Sequence, residues 1–232
     1  MRFARTLLVP LITAATLAVV PSVQAQTTEN LRLTSAGYVS FGGDMVGPYR
    51  GMLYSEPGTP TIDIYCVDFL NDIHIGDQWT ARVTNLADDL SQTRLGALYP
   101  GAYSWLGSYS VLDRYRQAAW LTTQFAIQNS SAWGGIHAAI WMLTTPNPST
   151  NIPSIFQSAA NYWLGQANNN YSSINAADYA ILTDVNTHGG VGGVQEYITM
   201  VTPEPASIVL LGTGLAGMAA KARRRRKGAA KV

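Results

Sequence analysis

The chain has 232 residues, with 15 Lys and Arg against 14 Asp and Glu, a formal charge of +1. That near-neutral balance hides an acidic centre: every lysine lies after residue 220, and residues 26–200 hold thirteen acids against six arginines, a net charge of −7. Such a domain argues against nucleic acid or an anionic membrane surface as its partner, and a single cysteine excludes a disulfide scaffold.

The N-terminus predicts an export signal. Arg2 and Arg5 precede a mostly apolar run from Leu7 to Val20, and Pro21 to Ala25 closes it with a small-x-small pattern. A basic, then apolar, then small-residue order is that of a secretory signal peptide, here 1–25, cut after Ala25 by signal peptidase. The run is shorter than the roughly 20 apolar residues that a bilayer span needs.

Residues 26–200 have the length of one domain. Its first part reads as strands: Gly37–Phe41 and Pro48–Ser55 around a Gly-rich turn, then Thr61–Phe69 and Gln78–Leu86, separated by Gly, Pro and Asn punctuation. The middle reads as about three helices. Ser110 and Asp113 form a capping box before Arg114–Gln128; Gly134–Thr145 follows, ended by Pro146; Ile152–Gly165 has Pro153 in its first turn and a stop at Gly165 and the Asn168–Asn170 run. Tyr179–Val185 and Gln195–Val201 look like closing strands. Strands, helices and strands again make the class α+β. Trp79, Trp105, Trp120, Trp133, Trp141 and Trp163 supply large core anchors.

Two short stretches carry the candidate chemistry. In the strand "TIDIYCVDF", alternation sets Ile62, Ile64, Cys66 and Asp68 on one face. In the helix "GGIHAAIWMLTT", His137 and Trp141 stand four apart and share a face. "YCV" at Tyr65–Val67, "AAIW" at Ala138–Trp141 and the preceding "QAAWL" at Gln117–Leu121 resemble the thioester domains of bacterial surface adhesins, over roughly Gly37 to Thr145. The resemblance implies a cysteine thiol condensed with a glutamine amide, a buried thioester that captures amines. Where the family has that glutamine, this sequence has His137, which has no carboxamide to lose as ammonia. Gln117, Gln124 and Gln128 are nearby in sequence, and Thr123 to Ile127 reads as Thr-Gln-x-Ala-Ile. The expectation is therefore a thioester-like domain without its bond, in a structural or adhesive role rather than as an enzyme.

Alternatives stay open. One is an active thioester adhesin using Gln117, Gln124 or Gln128. Another is a Cys-His hydrolase with Cys66 as nucleophile, His137 as base and Asp68 as orienter. The blandest takes Cys66 as a small core hydrophobe and His137 as a core histidine with one hydrogen bond. No cofactor is expected. No metal is expected either, since His74, His137, His188 and Cys66 lack ligand spacing and the acids of Asp63–Asp77 lack a calcium-loop pattern.

The C-terminus adds an address. Pro203, Glu204 and Pro205 precede an apolar stretch, Ala206–Ala220, and a basic cluster with Arg223, Arg224, Arg225 and Arg226. Fifteen apolar residues are marginal as a span, and the basic flank would stay cytoplasmic. The three parts in this order resemble the PEP-CTERM sorting signal of Gram-negative bacteria. The resemblance implies residues 201–232 as a sorting signal with a single hydrophobic helix at 206–220 and a basic tail at 221–232. It also implies a transient stay in the inner membrane, cleavage near Pro-Glu-Pro by an exosortase transpeptidase, and a final place at the cell surface or in the extracellular matrix. Exopolysaccharide or an amine-bearing surface ligand is the partner expected there.

Overall fold

The computed structural model describes residues 27–37, 39–54, 58, 61–98 and 108–201. The signal peptide, Trp105, the hydrophobic helix at 206–220 and the sorting residues Pro203 to Pro205 and Arg223 to Arg226 lie outside the described residues. No described helix is long and apolar enough to cross a membrane.

Among the described residues there are eight strands: β1 Thr27–Ser35, β2 Val39–Phe41, β3 Asp44–Val46, β4 Tyr49–Leu53, β5 Ile62–Cys66, β6 Gln78–Asn85, β7 Tyr179–Asp184 and β8 Tyr197–Met200. Six of them close into a barrel in the order β1-β4-β5-β8-β7-β6, while β2 and β3 form a separate hairpin. Every pairing is antiparallel. The α+β class, with strands, helices and closing strands, is the observed one. The barrel is the added feature, and it depends on β1, which no strand expectation covered: β1 joins β4 to β6 and so shuts the sheet.

Between β6 and β7 the described residues form five α-helices, α1 Arg94–Leu98, α2 Val111–Ile127, α3 Trp133–Thr144, α4 Pro148–Asn151 and α5 Ser154–Asn170. Three are long. The start of α2 is fixed by the capping box: the Ser110 side chain accepts from the Asp113 N–H while the Asp113 carboxylate accepts from the Ser110 N–H. Helix α3 stops before Pro146, which disfavours helical geometry in the residue ahead of it. Helix α5 runs through Gly165 and stops at Asn170, within the Asn168–Asn170 run that was expected to end it. Gly165 has open space where a side chain would be, so it costs the helix only about 1 kcal/mol relative to Ala.

Helix α3 is apolar nearly all round, which marks a helix enclosed on every side. It packs between α2 and α5 and against β2, β3 and β5. Gly134 and Gly135 make this possible. A Cβ at Gly134 would meet the Phe41 ring at 2.5 Å, and one at Gly135 would meet the Ala159 carbonyl oxygen at 2.9 Å. One continuous core runs from Leu31, Ile64 and Ile181 of the barrel to Leu121, Ile140 and Phe156 of the helices.

Candidate functional site

Cys66 ends β5, paired with Tyr197 of β8, and is fully buried at the seam between barrel and helices. The expected alternation holds on its face: Ile64 is buried like Cys66, while Asp63 is exposed on the other side. The thiol is held within its own turn. Cys66 Sγ donates to the Asp68 carbonyl at 3.1 Å and accepts from the Asp68 N–H at 3.4 Å. Burial pushes the thiol up to about 12, with the Asp68 carboxylate adding to the effect. The Trp141 indole lies near enough to favour the thiolate, but its Nε1–H is buried with no acceptor in hydrogen-bond geometry.

His137 comes to this point from α3 and is also fully buried. Its Nδ1 accepts the N–H of Gly47 at 3.0 Å, and its Nε2 lies 3.0 Å from the carbonyl oxygen of Cys66. A main-chain N–H can only donate, so Nδ1 is the bare nitrogen and Nε2 carries the proton given to Cys66. Burial drives the imidazole down to about 4, the hydrogen bond to Cys66 opposing it only in part. The ring is thus neutral and clamps the β3–β4 connection to the end of β5 through their main chain. Aromatic rings enclose it: Trp141 lies 4.5 Å away, and Tyr49 and Phe125 approach edge-on at 5.8 and 5.7 Å.

Gly47 is the clamp's second anchor. Its φ of +109° suits glycine, and a Cβ there would sit 2.6 Å from the Trp133 ring. The sequence reading took this glycine for part of a turn and missed its bond to His137.

The other expected residues separate into two groups. Trp141 joins Cys66 and His137. Gln117 and Gln124 are buried on α2; the Gln124 amide donates to the Thr123 hydroxyl at 2.9 Å, and Gln117 Oε1 is buried without a partner. Gln128 is exposed at the C-cap of α2. The groups that act on the Cys66 thiol are Asp68, Trp141 and Arg94. Asp68 does not orient His137. Its carboxylate accepts from the Leu70 N–H at 3.0 Å and from the Asn71 amide at 2.8 Å.

Beside the thiol lies a buried polar cluster that no sequence signal announced. Arg94 Nε makes an ion pair with Asp68 at 2.8 Å, a charge contact rather than an aligned hydrogen bond. The other guanidinium nitrogens donate to the carbonyls of Gly190, Gly192 and Val194. Glu196 accepts from the Arg94 N–H at 2.7 Å, the Thr183 hydroxyl at 2.6 Å and the Tyr115 hydroxyl at 2.7 Å. Burial raises both Asp68 and Glu196 above the usual carboxylate range, and Arg94 counters this in each. The cluster straps the loop before β8 onto the start of α1.

Chemically, the seam offers a protonated thiol and an imidazole whose two nitrogens are both taken by main-chain groups. Neither nitrogen is left to receive the thiol proton. Among the described residues no group of three His, Cys, Asp or Glu could hold a metal ion.

Residues 201–226 match the PEP-CTERM protein-sorting motif. The motif marks an exported protein of Gram-negative bacteria that an exosortase processes and sorts to the cell surface. No curated protein and no solved structure matches the chain.

Proposed function

We propose that this exosortase-sorted chain displays a thioester-type domain whose covalent bond has been replaced by a histidine clamp, and that it works structurally or adhesively at the cell surface or in the matrix, not as an enzyme. The observation that carries the reading is the reach of His137 from α3 to the Cys66 main chain, at the sequence position where the thioester family has its glutamine. A clamp can take over the mechanical part of a thioester, tying helix to strand, without its reactivity. A hydrolase would need a base within reach of the sulfur, and His137 has both nitrogens committed. Exopolysaccharide or amine-bearing surface material is the partner class such a protein meets.

The test is the intact mass of the exported, processed protein, before and after methylamine, for the wild type and for His137→Gln. The wild type keeps its full mass, takes up no methylamine and reacts with iodoacetamide only on unfolding. The variant restores the carboxamide beside Cys66, so it weighs less by one ammonia and takes up one methylamine. Methylamine uptake by the wild type would mean that Gln117, Gln124 or Gln128 forms a live thioester, overturning the clamp. A folded His137→Gln protein of full mass would remove the thioester-type reading.

A further inference from the structure

From Gln117 to Ala177 the chain contains no Asp, Glu, Lys or Arg. Ordinary composition, about a quarter charged, would put roughly fifteen there. Enclosure accounts for this in α3 but not in α5, which also has no charged residue and yet keeps a long face in solvent. Soluble surfaces usually carry charges of both signs. Here Ile155 is 51% and Tyr162 65% exposed, with Asn161, Asn168 and Asn169 exposed beside them. Ile155, Tyr162 and Asn169 recur every seven residues and form one stripe along the helix. The Tyr162 ring is braced edge-on against Trp163 at 5.1 Å.

We propose that this face of α5 binds a neutral polysaccharide. Sugar rings present C–H faces that pack on an exposed tyrosine and isoleucine, and hydroxyls that exchange hydrogen bonds with carboxamides. Amides do this without the desolvation cost of ionised side chains. Charge decides the class of glycan. With the domain's negative charge on other segments, an acidic polymer is repelled at long range and has no cation on α5 to meet, whereas a neutral one loses nothing. A second copy of the chain is the competing occupant of an uncharged face. It is disfavoured because two copies of a domain with a net charge of −7 repel one another, and the apolar area on this face is confined to Ile155 and Tyr162.

The proposal rests on the surface or matrix role but is tested separately. The exported, processed protein is run through native gels containing dextran, hydroxyethylcellulose, galactomannan or alginate. Retardation is expected in at least one of the three neutral polymers and not in alginate. Tyr162→Ser weakens it at least about fivefold, as losing an aromatic anchor does, and the exposed pair Asn168→Asp with Asn169→Asp weakens it without unfolding, as circular dichroism checks. No retardation in any neutral polymer, or retardation unaffected by either variant, overturns the proposal. So does a concentration-dependent dimer in sedimentation that Tyr162→Ser abolishes. Matrix localisation of a protein that no neutral polymer retards would sink the α5 site and leave the surface role standing; a retarded protein found only in the culture medium would do the reverse.

Discussion

His137 has to be neutral to do what it does. Its Nδ1 takes a proton donor from Gly47, so a second proton there would break the bond and leave a charge among three aromatic side chains. The linkage has a definite sign. The folded imidazole titrates at about 4 against 6.5 for an unperturbed histidine, so between those values the unfolded chain binds more protons and acid favours unfolding. The contribution is fully present above about pH 6.5 and is lost as pH falls toward 4; the loss by pH 4.5 is roughly 2–3 kcal/mol. Asp68 and Glu196 act oppositely, since carboxylates with raised pKa values take up protons in the folded state first. The comparison must therefore be with His137→Asn, which keeps both carboxylates. Urea melts at pH 7 and pH 4.5 are expected to show the wild type losing about 2–3 kcal/mol more than the variant. Equal losses would mean that the imidazole is not held neutral.

At the scale of elements, Arg94 ties α1 to the strand end at Asp68 and to the loop before β8, three pieces far apart in the chain. Arg94→Met keeps most of the stem's volume but leaves Asp68 charged and buried without its partner, a loss of roughly 3–5 kcal/mol. Thermal unfolding should show it as a fall of about 10 °C, and adding Asp68→Asn should recover part; a shift within a degree or two would contradict the account. The same cluster marks the limit of what the sequence discloses. Local signals were legible: the Ser110–Asp113 box, the stop before Pro146, and the alternation that aims Cys66 and Ile64 inward. No local signal brings Cys66 and His137 together, since they stand 71 residues apart. Arg94, Glu196, Tyr115 and Gly47 were not legible, because a lone arginine after a threonine, or a glutamate before a strand, reads as an ordinary solvated charge until tertiary contacts bury it. The closure of the barrel was hidden for a similar reason. β1 has polar residues on its exposed face and meets β6 only across some fifty positions of chain.

For the whole molecule, the sorting motif at 201–226 and the barrel share a border. Replacing Pro203, Glu204 and Pro205 by alanine should leave unprocessed protein in the membrane fraction of an exosortase-bearing host, as blots of fractionated cells would reveal; normal release of the variant would mean that another segment is read. The border has a mechanical consequence. β8, the strand hydrogen-bonded to both β5 and β7, is also the last strand before the motif, and the Val201 N–H still bonds the Asp178 carbonyl at 2.9 Å. Only Thr202 stands between that bond and Pro203. Tension on the tail along the strand therefore has almost no slack to take up. It loads the hydrogen bonds on both edges of β8 together, in shear, instead of peeling them singly. A domain held to a cell by its tail and dragged by flow would carry that force through its own barrel wall.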